Sequence, residues 1–249
     1  MLADLPADEA AHAVRVLRLA VGDSVALTNG AGTIAVGTVA TATKHGCSVQ
    51  VEKALTPPAL WHGGIHIAVA PTKNQDRMEW FVEKATEIGA DSITFLATRN
   101  GERSRLRTDR LQRNAVSAMK QSHKAWLPVI EGPVPFAEFL ERHAATPHKY
   151  ICHCHEPAGS GEPLDTDGDA LGLPLYCATT AAKPLLLDII PPEGDAVVMI
   201  GPEGDFTTDE VREAAGRGWK SVSLGESRLR TETAAMVAVH MMYLRKRKG

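Results

Sequence analysis

Two short stretches of this sequence combine glycine, charge and helix-starting residues in a way that a simple turn does not need. The first is IGPEGDFTTDE, residues 200–210, which follows the apolar run Ala196–Met199. Its two glycines permit close backbone approach or a positive φ, and the proline between them stiffens the loop. Thr207 and Glu210 have the spacing of a capping box, so a helix is expected to start just after the loop. The alternative is a tight strand-to-helix turn.

The second stretch is LGESRLRTETA, residues 224–234, which places Arg228 and Arg230 close to Glu232. Both stretches lie between a predicted strand and a predicted helix. Open α/β sheets bind ligands at the carboxyl ends of their strands, so the two stretches together predict a ligand site. The alternative for the second stretch is a charged helix start with a local arginine–glutamate pair, which contributes little to stability.

The rest of the chain predicts the framework that positions these stretches. Residues 1–58 hold short alternating runs with turn signals, which favour a compact β-barrel, and Asn29-Gly30 signals a two-residue hairpin. Prolines and glycines mark a linker at 55–64. Residues 64–249 alternate strand and helix, which predicts a mostly parallel sheet covered on both faces.

Hydrophobic periodicity places the individual elements. Strands are predicted over Ser24–Thr28, Thr33–Val39, Cys47–Val51, Ile65–Ala70, Ser92–Ala97, Tyr150–His155, Ala196–Ile200 and Ser221–Leu224. Helices are predicted over Ala7–Leu19, Gln75–Ile88, Thr108–Ser122 and Thr231–Leu244. Residues 156–174 are rich in Gly, Pro and Asp and predict a loop.

Together, GPEG at 201–204 and LRTETA at 229–234 resemble the SPOUT class of RNA methyltransferases. Within that class they are similar to the RsmE family, which makes N3-methyluridine in small-subunit (16S) ribosomal RNA. The runs KNQDRMEW at 73–80 and SAMKQS at 117–122 resemble helices of that family, and HAVRVLR at 12–18 resembles its N-terminal domain. The resemblance therefore covers nearly the whole chain in the right order.

The resemblance implies an α/β fold with a small N-terminal PUA-like, RNA-binding β-barrel and a SPOUT domain. The barrel would span 1–58, and the SPOUT domain, with its C-terminal trefoil knot, would span 64–249. S-adenosyl-L-methionine (SAM) would lie in the knot, and the family is dimeric, so a homodimer is expected. Carried over by position, the cofactor-binding residues are Thr179, Ile200, Gly201, Pro202, Glu203, Gly204, Leu224, Gly225, Leu229, Arg230, Thr231 and Thr233.

The chain departs from the family pattern at three places. Asp205 stands where many members have glycine, and Arg228 lies one residue later than the family's usual arginine. A short extra strand that many members carry at the N-terminus is expected to be missing.

A further cofactor contact is expected from Tyr176–Thr179, at the end of another possible strand.

Methylation at uridine N3 requires that the N3 proton leave and that the site stabilise negative charge on the base oxygens. Arg230 is the predicted catalytic cation, because a guanidinium keeps its charge. Its alternative role is a salt bridge to Glu232 or Glu203 that shapes the knot. Glu203 is a second catalytic candidate, as a base, although its glycine and proline neighbours favour a structural role. Competing functions are methylation of a ribose 2′-oxygen or guanine N1, and a non-catalytic RNA-binding assembly protein.

A net charge of −3 over 249 residues excludes a global basic field, so contacts to ribosomal RNA need a local basic patch. The candidate RNA-binding arginines are Arg15, Arg18, Arg99, Arg103, Arg105 and Arg107. The alternative for the last four is a solvated loop. The run Arg245–Lys248 is predicted to be a solvated tail.

Four cysteines without framework spacing favour a reducing cytoplasm, and no apolar stretch is long enough to span a bilayer. The run Cys152–His155 resembles a metal-ligand cluster. In a strand, however, its cysteines would face one side and its histidines the other. A buried strand without a metal is therefore predicted.

Overall fold

The computed structural model describes residues 1–101, 106–155 and 183–248. The chain divides into two compact units. The first comprises Met1–Ala59 with Met119–Leu127, and the second comprises Leu60–Ala118 with Pro128–Gly249. No helix in the described ranges is long and apolar enough to cross a membrane.

The first unit is a four-stranded antiparallel sheet with one helical segment. Its elements are β1 (Leu2–Asp4), α1 (Ala7–Ala11), a π-helical turn (His12–Val16), β2 (Ser24–Thr28), β3 (Ile34–Thr43) and β4 (Gly46–Leu55). The strand order is β1-β4-β3-β2, and its small core includes Ala10, Ala13, Val39 and Cys47. The expectation that the N-terminal strand is missing was wrong, because Leu2–Asp4 pairs with β4.

The connection between β2 and β3 is longer than the predicted two-residue turn. The last pair of the ladder joins Thr28 to Ile34, which leaves residues 29–33 in the loop. The Asn29 side-chain oxygen accepts hydrogen bonds from the backbone N–H groups of Ala31 and Thr33, at 2.8 and 3.0 Å. This side chain organises the wider loop, a common use of asparagine in turns.

The second unit alternates strand and helix around a parallel sheet. Its elements are β5 (Ile65–Val69), α2 (Gln75–Ile88), β6 (Ser92–Ala97), α3 (Thr108–Gln121), β7 (Val129–Pro135), α4 (Phe136–Arg142), β8 (His148–Cys152), α5 (Leu186–Ile189), β9 (Ala196–Ile200), α6 (Thr208–Gly216), β10 (Lys220–Val222) and α7 (Thr231–Lys246). The strand order is β10-β8-β9-β5-β6-β7, and every pair is parallel. The predicted parallel sheet is confirmed. The trefoil knot depends on the chain path through 156–182, which lies outside the described residues, and it stays a prediction.

Helices cover the central strands. All five residues of β9 are buried, and Val197 and Met199 share a core with Phe139 of α4 and Ala214 of α6. Helix α7 packs on α2, β5 and β9. The carboxyl ends of the parallel strands meet at one edge of the sheet, which is where both chemistry-bearing stretches lie.

The basic run at the end of α7 is not simply a solvated tail. Lys246 is fully buried, and its Nζ donates a hydrogen bond to the Gly194 carbonyl oxygen. Its backbone carbonyl accepts from the His62 N–H at 2.9 Å, and the Lys248 N–H donates to the Leu60 carbonyl at 3.0 Å. Burial lowers the pKa of Lys246, and the nearby carboxylates of Asp195 and Asp91 oppose that change.

Candidate functional site

The glycine-rich loop after β9, residues 200–205, is fixed at both ends. The Ile200 carbonyl accepts a hydrogen bond from the Ala70 N–H at 3.0 Å, and the Asp205 N–H donates to the Pro202 carbonyl at 3.0 Å. Gly201 and Pro202 are buried, whereas residues 203 and 204 are exposed. Among the described residues, no hydrogen-bond acceptor faces the backbone N–H groups of residues 203 and 204. The loop therefore presents free donors at the carboxyl edge of the sheet.

Asp205, the residue that departs from the family pattern, is a structural link. It adopts a left-handed conformation with φ of 60°. Its Oδ1 accepts from the N–H of Phe206 at 2.7 Å, and its Oδ2 accepts from the N–H of Cys154 at 2.7 Å. The second bond ties the segment after β8 to the loop after β9. A glycine would adopt this φ at lower cost but would provide neither bond.

The predicted capping box at the start of α6 is confirmed. The Thr207 hydroxyl accepts from the Glu210 N–H at 3.3 Å, and Glu210 Oε2 accepts from the Thr207 N–H at 2.8 Å. Sequence reasoning missed the other half of this contact. Glu210 Oε1 accepts from the backbone N–H of Arg99, in the loop after β6, at 2.9 Å. One carboxylate thus joins two loops at the same edge of the sheet.

The second stretch joins β10 to α7. Backbone bonds hold Ser223 against residues 184–186, and its hydroxyl accepts from the Gly225 N–H at 3.1 Å. Gly225 has φ of 118°, a conformation that favours glycine. Helix α7 then begins at Thr231 after Arg230, and no side chain caps it. An uncapped start leaves N–H donors and the positive end of the helix dipole available to a ligand.

The structure distinguishes between the two roles predicted for Arg230, which are a catalytic cation and a salt bridge to Glu232 or Glu203. Within the described residues, neither Arg230 nor Glu203 has an ion-pair partner, and both side chains are exposed. Glu232 is buried and instead lies 3.7 Å from Arg77 Nε, while its second oxygen has no hydrogen-bond partner. The alternative of a salt bridge between Arg230 and Glu232 or Glu203 is therefore wrong for the described chain. Arg77 is a neighbour that the local sequence could not indicate.

The arginines proposed to contact RNA fall in different places. Arg99 is exposed, and its guanidinium pairs with Asp209 at 3.1 Å. Arg107 is exposed as well. Arg15 and Arg18 lie in the first unit and are also exposed. Arg103 and Arg105 lie outside the described residues, as do Thr179 and the segments 156–174 and 176–179.

The Cys–His run does not form the continuous strand that was predicted. β8 ends at Cys152, so the alternating arrangement of the next three side chains does not apply. His153 Nε2 lies 2.8 Å from the Ser221 hydroxyl, and its Nδ1 lies 3.2 Å from Lys183 Nζ. Burial, aided by the Lys183 cation, lowers the pKa of His153 to about 3. Burial also raises the pKa of the Cys152 thiol to about 12.

These partners fix the state of the His153 ring. The Lys183 ammonium can only donate, so Nδ1 accepts and Nε2 carries the proton toward Ser221. Within residues 1–101, 106–155 and 183–248, no group of three or more His, Cys, Asp or Glu side chains is placed to hold a metal ion.

Comparison with known proteins identifies the family. An RNA methyltransferase domain model matches residues 61–243, and an RNA methyltransferase PUA domain model matches residues 5–52. The ribosomal RNA small subunit methyltransferase E of Rickettsia conorii is 27% identical over 243 residues, covering 97% of this chain and 89% of the relative.

Solved structures agree with this assignment. A probable rRNA-methyltransferase from Porphyromonas gingivalis has a TM-score of 0.82 and 37% identity, covering 98% of this chain and 93% of its own. A Legionella pneumophila protein assigned as a methyltransferase, in complex with the bound cofactor SAM, has a TM-score of 0.79 and 25% identity, covering 98% and 92%. This chain therefore belongs to the PUA-containing RNA methyltransferase family, of the ribosomal RNA small subunit methyltransferase E (RsmE) type.

Proposed function

We propose that this protein transfers a methyl group from SAM to N3 of a uridine in small-subunit ribosomal RNA. The observation that carries the proposal is that two loops with free backbone donors lie at the same edge of the parallel sheet. One is the glycine-rich loop 200–205, and the other ends at the uncapped start of α7. The R. conorii relative is named for small-subunit ribosomal RNA, and the L. pneumophila protein holds SAM, which supports both substrate and cofactor.

The donor set at this edge fits SAM. The amino-acid end of SAM carries a carboxylate, which suits free N–H groups at a helix start. Exposed glycine backbone in the other loop admits close contact with the rest of the cofactor. We assign cofactor contacts to residues 200–204, 224–225 and 229–233, and to Thr179 by family position alone. Bound SAM supplies a methyl group on a sulfonium sulfur, which is an electrophile.

The protein's own residues must make uridine N3 nucleophilic. Loss of the N3 proton places negative charge on the two base oxygens, and a fixed cation nearby stabilises it. Arg230 is the proposed cation, because its guanidinium is exposed beside the helix start and has no ion pair among the described residues. Glu203, exposed in the loop after β9, is the proposed second participant and the candidate to accept the proton.

The RNA surface is proposed to include the exposed arginines Arg15, Arg18, Arg99 and Arg107, together with Arg103 and Arg105. Contacts of arginine with phosphate would weaken steeply with added salt. A homodimer, which the family resemblance implies, and a cytoplasmic location, which the cysteine content favours, complete the proposal.

The decisive experiment supplies SAM with a labelled methyl group and small ribosomal subunits that lack the modification. The label is expected on the base of uridine, at N3, when the RNA is digested and its nucleosides are analysed by mass spectrometry. A label on ribose or on guanine would refute the assignment to uridine N3. Absence of both label transfer and SAM binding in calorimetry would favour the non-catalytic assembly protein.

A further inference from the structure

The loop after β6 is attached directly to the proposed cofactor loop by one side chain. The Asn100 Nδ2 donates hydrogen bonds to the carbonyl oxygens of Gly204 and Asp205, each at 3.1 Å. Both partners can only accept, so the amide nitrogen must face them and both of its hydrogens are used. Asn100 thereby fixes the orientation of two consecutive peptide groups at the end of the glycine-rich loop.

A second attachment holds the same two segments one residue away. The Arg99 backbone N–H donates to Glu210 in the first turn of α6, which follows directly after the cofactor loop. Asn100 and Arg99 thus form hydrogen bonds to the chain on both sides of Phe206, whose side chain is fully buried in the core. If the Arg99–Asn100 segment is displaced, either the cofactor loop must move with it or these hydrogen bonds must break.

Arg99 is also a candidate to contact RNA. Its guanidinium pairs with Asp209 at 3.1 Å, but the two side chains are 65% and 62% exposed. An exposed pair of this kind is worth little, so an RNA phosphate can compete with Asp209 for the guanidinium. Arg99, the candidate RNA contact, is thus next in sequence to Asn100, which holds the cofactor loop.

We infer that Asn100 is a positioning residue that couples RNA binding to SAM binding. The inference rests on the proposed function. RNA that engages Arg99 restrains the Arg99–Asn100 segment, and Asn100 transmits that restraint to the Gly204 and Asp205 carbonyls. By thermodynamic reciprocity, bound SAM then raises the affinity for RNA by the same factor.

The test measures SAM affinity by calorimetry for the wild type and for Asn100→Ala, with and without saturating unmodified small subunits. Loss of two partly exposed hydrogen bonds is expected to weaken SAM binding about fivefold in the absence of RNA. Subunits are expected to tighten SAM binding to the wild type by about fivefold or more, a typical coupling, and to leave Asn100→Ala nearly unchanged. Asn100→Gln, which keeps the amide, should retain more affinity than Asn100→Ala.

Asn114→Ala is the matched control, because Asn114 lies on α3 and makes no side-chain hydrogen bond within the described residues. Equal SAM affinity of Asn100→Ala and wild type without RNA would overturn the positioning role. If Asn100→Ala binds SAM more weakly but subunits still tighten that binding as much as in the wild type, the coupling role of Asn100 is overturned and the residue is only a structural contact. A wild type that neither binds nor methylates subunits refutes the proposed function instead, and the titration without RNA still decides the positioning role.

Discussion

Replacing Glu210 with alanine should destabilise the second unit more than a single substitution on a helix surface usually does. The residue is only 4% exposed, and its carboxylate accepts three hydrogen bonds. They come from the Arg99 N–H at 2.9 Å, the Thr207 N–H at 2.8 Å and the Thr207 hydroxyl at 2.9 Å. Glu210→Ala removes both acceptor oxygens and so all three hydrogen bonds, which leaves the Arg99 and Thr207 backbone N–H groups to be satisfied by water.

The magnitude follows from those two backbone donors. A hydrogen bond to a charged group contributes about 1.5–3 kcal/mol, and partial access to water favours the lower value at each donor. The higher helix propensity of alanine roughly offsets the lost interaction of the carboxylate with the helix dipole. The expected loss is therefore about 3 kcal/mol. At roughly 2–4 °C per kcal/mol for a chain of this size, Tm should fall by about 6–12 °C.

Thermal unfolding followed by circular dichroism at neutral pH measures this shift. Glu213→Ala is the matched control on the same helix, because Glu213 is 40% exposed and its one ion pair among the described residues is with Arg217, four residues away. That pair should contribute less than about 0.5 kcal/mol. If Glu210→Ala and Glu213→Ala unfold at the same temperature, the reasoning that Glu210 joins the two loops is refuted.

Three further predictions concern single substitutions, one of them with a matched control. His153 has a pKa of about 3 in the folded protein and about 6.5 when unfolded, so the unfolded chain binds more protons between these values and stability falls as pH drops through that window. His153→Asn should reduce this fall in the free energy of unfolding by up to about 1.4 kcal/mol per pH unit. Denaturant unfolding at pH 4–7 measures it, and equal slopes of unfolding free energy against pH in the variant and the wild type would contradict the prediction. Gly63 has φ of 72°, and an added Cβ would overlap the Gly194 carbonyl oxygen, so Gly63→Ala should cost at least about 2 kcal/mol in the same assay. Gly216→Ala, where a Cβ meets open space, should cost nothing, and a similar loss in both would exclude the steric cause. Arg230→Ala should lower the methylation rate on small subunits about 100-fold or more at saturating SAM, and a full rate would exclude the catalytic role.

Features encoded by neighbouring residues were predictable from the sequence. The capping box of Thr207 and Glu210 needs only a three-residue spacing, and the α2 and α7 starts follow directly from local pattern. The buried strand β9 was equally clear, because all five of its residues are apolar. These elements bring the two chemistry-bearing stretches to the same edge of the sheet.

Features that depend on distant partners were not predictable. Asp205 looked unusual in sequence because its hydrogen-bond partner, Cys154, lies 51 residues away. The link from Glu210 to Arg99 spans 111 residues. Strand β7 was missed because its sequence VIEGPVP contains two prolines, which normally argue against a strand. β7 is an edge strand, where a missing N–H donor costs little.

The strand order has a consequence for how the protein folds. The central pair β5–β9 joins His66 to Val197, which are 131 residues apart, and β10 pairs with β8 through Lys220 and Tyr150, which are 70 residues apart. Contacts of such long range must wait for the closure of large loops, so sheets of this kind fold slowly. The loop after β9 gains its fixed shape only when these pairings exist. SAM should therefore fail to bind early folding intermediates, and cofactor affinity should appear among the last events of refolding.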